Sequence, residues 1–128
     1  MAGSVLVIDD DLIIRTLVSM VLGRAGYEVH QAEDGPEGLQ ELAGQPDGPP
    51  GLILVDTVMP GWDGYETCRR IRAETAAGPR PHVVLMSADP VDADAASAAG
   101  VDGFLQKPFD PADLVSFVRQ AVGDPDPG

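Results

Sequence analysis

The sequence predicts a doubly wound α/β domain, a single five-stranded parallel sheet with helices on both faces. Three observations predict it. Five short apolar runs alternate with five helix-like stretches inside 128 residues, a rhythm that requires crossover helices between parallel strands. The central run, Leu52-Ile53-Leu54-Val55, has no polar face, as a strand covered on both sides demands. Runs one, three and five end in charged groups, Asp9-Asp10-Asp11, Asp56 and Lys107, and in an open parallel sheet the carboxyl ends of the strands form the rim where ligands bind. Of the common doubly wound arrangements, five strands fit the flavodoxin-like (βα)5 order 2-1-3-4-5.

The first strand is Ser4-Val5-Leu6-Val7-Ile8. Asp11 is placed to cap a helix from Leu12 to about Ala25, in which Ile13, Leu17, Met20 and Val21 recur at helical spacing and which Gly26 closes in a left-handed turn. Tyr27-Glu28-Val29-His30-Gln31-Ala32 alternates polar and apolar, the pattern of a strand near a sheet edge. His30 on it reads as a solvated residue, because no second His or Cys stands at ligand spacing. A short helix from about Gly35 to Ala43 leads into the proline- and glycine-rich loop 45–51. After the third strand come Pro60-Gly61 and a helix from about Asp63 to Glu74, with Cys68 as a small buried residue.

His82-Val83-Val84-Leu85-Met86 is the fourth strand and ends at Ser87-Ala88. The segment from Asp89 to Ala99 reads as a helix with few large apolar anchors, hence a weakly packed and mobile one. Gly100 ends it, and a fifth strand from Val101 to Gln106 runs into Lys107-Pro108-Phe109. Asp110 caps a last helix from Pro111 to Val122, with Leu114, Phe117, Val118 and Ala121 facing inward. The domain is read as residues 1–123, and residues 124–128 as a flexible tail or the start of a linker.

Composition narrows the function. Lys and Arg number 8 against 21 Asp and Glu, a net charge of -13, which repels nucleic-acid phosphates and argues against direct nucleic-acid binding. The lone Cys68 forms no intramolecular disulfide, in keeping with a reducing compartment. Asp9 interrupts the first apolar run before it resembles a secretory core, and no apolar stretch is long enough to span a bilayer. The expectation is a soluble cytoplasmic protein with no membrane partner.

The predicted strand order brings the ends of strands one, three, four and five to one crevice. There stand Asp9, Asp10, Asp56, Ser87 and Lys107. A blander role for Asp56, capping the next helix, is already filled by Asp63 and Gly64. Clustered carboxylates raise one another's pKa unless something neutralises them, and two or three of them plus waters make a site that Mg2+ accepts. The Ser87 hydroxyl and Lys107 ammonium face the same space, where an anion would sit. The chemistry asks for a phosphoryl group between metal and Lys107, with Asp56 as the in-line nucleophile that forms an aspartyl phosphate.

These residues resemble a known pattern. Val7-Ile8-Asp9-Asp10-Asp11, Asp56 followed by Met59-Pro60-Gly61-Trp62-Asp63-Gly64, Ser87-Ala88 and Lys107-Pro108-Phe109 together resemble the receiver domain of bacterial response regulators, the CheY-like family. The resemblance runs from Val5 to about Val122. It implies that Asp56 is the phosphoacceptor, fed by the phosphohistidine of a sensor histidine kinase or phosphotransfer protein. It implies Mg2+ held by Asp10 and Asp56 directly, by Asp9 directly or through water, and by the backbone carbonyl of Val58. Ser87 matches the hydroxyl residue that moves to the phosphoryl oxygen, Lys107 the lysine that pairs with it, and Phe104 the aromatic switch residue that turns inward. The peptide bond from Lys107 to Pro108 is cis in relatives.

The fourth helix, fifth strand and fifth helix would then form the output face, for a downstream protein not legible here or for a homodimer. By the same analogy Asp11, Leu12, Arg15, Val18 and Ser19 face the kinase. Such a protein is a signalling phosphoacceptor rather than an enzyme with turnover.

Three residues tune the pattern. Phe104 lacks the hydroxyl of the frequent Tyr, so its inward move is packing alone. Val58 puts an apolar side chain where relatives often carry a polar one that orients water, and Asp89 puts an acid two residues past Ser87. A haloacid-dehalogenase-type phosphatase needs a second carboxylate at the position of Val58. A flavodoxin-like nucleotide or flavin carrier needs a phosphate loop of backbone amides and hydroxyls where this chain has Asp9-Asp10-Asp11. The remaining alternative is a receiver-like binding module that is never phosphorylated, whose hallmark would be loss of an acid or the lysine.

Overall fold

The computed structural model describes residues 3–125. In chain order the elements are β1 (Ser4–Ile8), α1 (Leu12–Arg24), β2 (Glu28–Ala32), α2 (Gly35–Ala43), β3 (Leu52–Asp56), α3 (Gly64–Glu74), β4 (His82–Ser87), α4 (Ala93–Ala98), β5 (Gly103–Gln106) and α5 (Pro111–Val122). All strand pairs are parallel, in the order β2-β1-β3-β4-β5. The predicted fold class and strand order are those observed.

The period of two along each strand sorts the core into two layers. Val5, Val7, Leu52, Leu54, Val84 and Met86 pack against Val18 and Leu22 of α1 and Leu114 and Val118 of α5. Leu6, Ile8, Ile53, Val55, Val83 and Leu85 point the other way, onto Cys68 and Ile71 of α3 and Ala96 of α4. Cys68 is buried as expected, and burial pushes its thiol up to about 12.

Side chains close the helix starts, those of Asp11, Asp63 and Asp110 as the sequence placed them. Asp11, Asp34, Asp63 and Asp110 accept the N–H of Ile13, Glu37, Glu66 and Asp113 at 2.8–2.9 Å. Asp63 is thus the cap of α3 rather than its first residue, and α3 starts at Gly64. Gly64 packs so tightly under the end of β3 that a Cβ there would lie 2.5 Å from the carbonyl oxygen of Asp56 and 2.8 Å from Cα of Thr57. Both neighbours are backbone, so neither yields cheaply. Gly64→Ala is expected to cost about 1–3 kcal/mol through forced displacement of that strand end, read as a lower urea midpoint. A midpoint equal to that of the parent would contradict the close approach.

Several expected boundaries and faces shift. In α1 the buried stripe is Val18 and Leu22, flanked by Ile14, Val21 and Ala25, whereas Ile13 and Met20 are 76% and 50% exposed. This helix carries apolar residues nearly all round, so spacing alone does not fix its rotation. The fourth helix begins at Ala93, not Asp89. Pro90 disfavours helical backbone in the residue before it, and Asp92 provides the cap by accepting the N–H of Asp94 and Ala95.

Strands two and five begin later than expected, at Glu28 and Gly103. In each, the residue after a left-handed glycine belongs to the cap that closes the preceding helix. Gly26 (φ 103°) and Gly100 (φ 76°) are followed by Tyr27 and Val101, whose N–H groups donate back to Leu22 and Ala96, closing Schellman motifs. Asp102 is then held at the foot of the sheet, where it accepts the Val83 N–H and pairs with Arg72 and Arg80. Its carboxyl lies below the usual range: burial pushes it up, but that N–H and the two guanidiniums outweigh it.

Of the segment read as a tail, Asp124 pairs with Arg119 at 3.4 Å. Just before it, the Tyr27 hydroxyl donates to the Gly123 carbonyl at 2.7 Å. Pro125 lies against Gly26, and residues 126–128 fall outside the described residues.

Candidate functional site

The carboxyl ends of β1, β3 and β5 converge on one charged cluster. Ile8 sits beside Val55 in the register of β1 and β3, and Asp56 beside Met86 in that of β3 and β4. Asp9, Asp10 and Asp56 each offer a carboxylate oxygen within 4.8 Å of the others. Asp9 is completely buried, Asp56 nearly so, and Asp10 is exposed. The Lys107 ammonium reaches across from the end of β5, 2.9 Å from Asp9 and 3.2 Å from Asp56. The Lys107–Pro108 peptide bond is cis, as the sequence resemblance implied.

The electrostatics leave the cluster short of positive charge. Burial and then the neighbouring Asp9 carboxylate push the Asp56 carboxyl up to about 6, against the opposing pull of Lys107. Burial pulls the Lys107 ammonium down, yet its hydrogen bond to Asp9 and the charges of Asp9 and Asp56 prevail and hold it above its ordinary value. Three carboxylates share one ammonium. Hard oxygen donors at this spacing, two of them buried and under-neutralised, fit a divalent cation such as Mg2+, with Asp9, Asp10 and Asp56 as the residues that would hold it.

Other groups fix the cluster in place. Asp9 donates its N–H to Ala32 and accepts the Asp11 N–H at 2.9 Å. Thr57 donates both its N–H and its hydroxyl to the Met86 carbonyl, at 3.1 and 2.7 Å. The end of β3 is therefore tied to the end of β4 directly beside Asp56. Sequence reading did not single out Thr57. Its only signal was a hydroxyl following a strand-end carboxylate, and that becomes informative only once the β4 carbonyl is known to lie alongside.

Residues 5–119 match the model of the response regulator receiver domain. The chain belongs to that family. It is 38% identical over 120 residues to the transcriptional regulatory protein CseB of Streptomyces coelicolor, covering 92% of this chain and 48% of that one. It is 35% identical over 119 residues to protein PilG of Pseudomonas aeruginosa, covering 92% and 86%. The chain spans about half the length of most of the curated relatives it matches. Among solved structures, the chemotaxis protein CheY4 of Vibrio cholerae superposes with a TM-score of 0.84 at 29% identity, over 92% of this chain and 97% of that one.

The receiver holds its remaining expected residues apart from the cluster. The Ser87 hydroxyl donates to the Asp89 carbonyl at 2.7 Å and accepts the Asp89 N–H at 3.2 Å, so it is turned into its own loop. Phe104 is 46% exposed. Between them lies a cleft of about 510 Å³ lined by Ser87, Asp89, Val91, Phe104 and Gln106 among others. Val58 stands at the rim and is 74% exposed.

Of the first-helix residues read as a kinase-facing set, Val18 is wholly buried and the Ser19 hydroxyl oxygen is buried as well. Helical rotation turns both inward. Asp11 and Leu12 remain exposed and Arg15 half-exposed, with Ile13 beside them. Among the described residues no helix is long and apolar enough to cross a membrane.

Proposed function

We propose that this receiver is a phosphoacceptor of a two-component relay, taking a phosphoryl group from a phosphohistidine onto Asp56 in a Mg2+-dependent step. The observation that carries this reading is the cluster itself: Asp56 at the end of a buried strand, beside two further carboxylates and within 3.2 Å of an ammonium. A carboxylate oxygen of Asp56 attacks phosphorus in line, the bond to the donor imidazole nitrogen breaks, and the imidazole leaves as the neutral base after gaining a proton. Mg2+, when bound, neutralises charge developing on the phosphoryl oxygens. Asp10 and Asp56, the Val58 carbonyl, and Asp9 directly or through water are the proposed ligands. Lys107 turns from Asp56, whose carboxylate loses its charge in forming the acyl phosphate, to a phosphoryl oxygen, whose negative charge it compensates.

The Ser87 hydroxyl then leaves Asp89 for the phosphoryl group, and Phe104 moves into the cleft beside it. The faces of α4, β5 and α5 change together, as a population shift between existing states. The proposed partners are a sensor histidine kinase or phosphotransfer protein and a downstream protein that reads that face, with homodimerisation through it as one form of output. The reading makes the protein a switch, not an enzyme with turnover, and places it in the cytoplasm.

Incubation with Mg2+ and acetyl phosphate tests it by intact mass. One phosphoryl group should be gained, and none when Mg2+ is chelated beforehand or in Asp56→Asn. No gain by the parent, or an undiminished gain by the Asn variant, would overturn the assignment.

A further inference from the structure

Arg15 lies in the first turn of α1, where the helix dipole disfavours a cation, four residues after the capping Asp11. Its side chain is held. Its Nη1 donates to the carbonyl oxygen of Asp9 at 2.6 Å, back across the turn between β1 and α1. The other polar groups of Asp9 are also taken, by Ala32, by the Asp11 N–H and by Lys107. The peptide between Asp9 and Asp10 is thereby fixed from its carbonyl side. The plane of that peptide sets the direction in which the Asp10 side chain leaves the backbone. Asp10 is exposed, so the turn that carries it, rather than packing around it, brings its carboxylate within 4.8 Å of Asp9 and Asp56.

We propose that Arg15 is a positioning residue for the carboxylate cluster: by gripping the Asp9 carbonyl it holds the turn that presents Asp10 to a divalent cation. This rests on the Mg2+ part of the proposed function. The sign of the effect separates positioning from charge. If Arg15 acted through its charge alone, removing a cation beside Asp9, Asp10 and Asp56 would tighten Mg2+ binding. Loss of the grip weakens it instead.

The experiment titrates Mg2+ into the parent, Arg15→Met, Arg15→Lys and Asp10→Asn, followed by amide NMR shifts, with a thermal melt of each in EDTA. Arg15→Met is expected to bind Mg2+ about tenfold more weakly, at the lower end of the range for groups that orient metal ligands, while melting close to its parent. Arg15→Lys, which keeps a donor of similar reach, should recover most of the loss. Unchanged or tighter binding by Arg15→Met overturns the inference. So does a collapse of its melt in EDTA, which would assign Arg15 to folding. In either case the proposed function stands if the parent binds Mg2+ and Asp10→Asn does not; absence of Mg2+ binding by the parent would remove both.

Discussion

Replacing Asp56 by Asn is expected to stabilise the metal-free receiver by on the order of 2–3 kcal/mol at pH 8 and to leave it unchanged near pH 4. The native carboxyl titrates at about 6 because burial and Asp9 oppose its ionisation, whereas the unfolded chain ionises it near its ordinary value. A raised native pKa means that the folded state holds the proton more tightly. Its stabilising contribution is complete below the unfolded pKa and disappears as pH rises through about 6. Asn never ionises, so the variant keeps at pH 8 what the parent has lost. Urea unfolding in EDTA at the two pH values measures this, and equal parent and variant midpoints at pH 8 would refute it. Mg2+ should then raise the parent midpoint by mass action and raise that of Asp56→Asn less.

Lys107→Ala acts on the same cluster with the opposite sign. Asp9 has no solvent exposure, and Lys107 is the cation paired with both it and Asp56. Removing one partner of a buried pair leaves an uncompensated charge and costs about 3 kcal/mol or more. The metal-free variant should unfold at a clearly lower urea concentration at pH 8. Saturating Mg2+, which supplies charge to the same carboxylates, should restore part of the loss. The variant should still accept a phosphoryl group, but without the amide shifts in β5 and α5 that accompany phosphorylation of the parent. A midpoint unaffected by the substitution would mean that Lys107 does not neutralise Asp9, and unaltered shifts would release it from the switch.

The site was readable in the sequence because its residues are costly choices for structure alone. They are a carboxylate buried at the end of a strand, Asp56, two adjacent acids at Asp9 and Asp10 that cap no helix, and a single lysine after the last strand. Their types and strand-end positions therefore point to chemistry. The apolar runs were equally legible, since a double-sided buried strand leaves no room for polar residues.

What stayed hidden depended on three-dimensional partners. The rotation of α1 is ambiguous from spacing because Leu12, Ile13, Leu17 and Met20 extend its apolar character beyond the stripe that packs. Tyr27 and Val101 looked like strand residues because the cap of a helix and the start of a strand both favour an apolar residue after glycine. The role of Thr57 needed the Met86 carbonyl, and that of Arg15 needed the Asp9 carbonyl. Both are backbone acceptors, which leave no mark in a pattern of side chains.

The bond from Tyr27 to Gly123 has a practical consequence for anyone handling the protein. It anchors the segment after α5 beside the residue where β2 begins, whereas the acidic cluster lies at the far ends of the strands, roughly 15 Å away along a five-residue strand. A resin, sensor chip or fluorophore attached beyond Pro125 starts from the floor of the sheet. The immobilised molecule would be tethered at the end of the sheet opposite its chemistry.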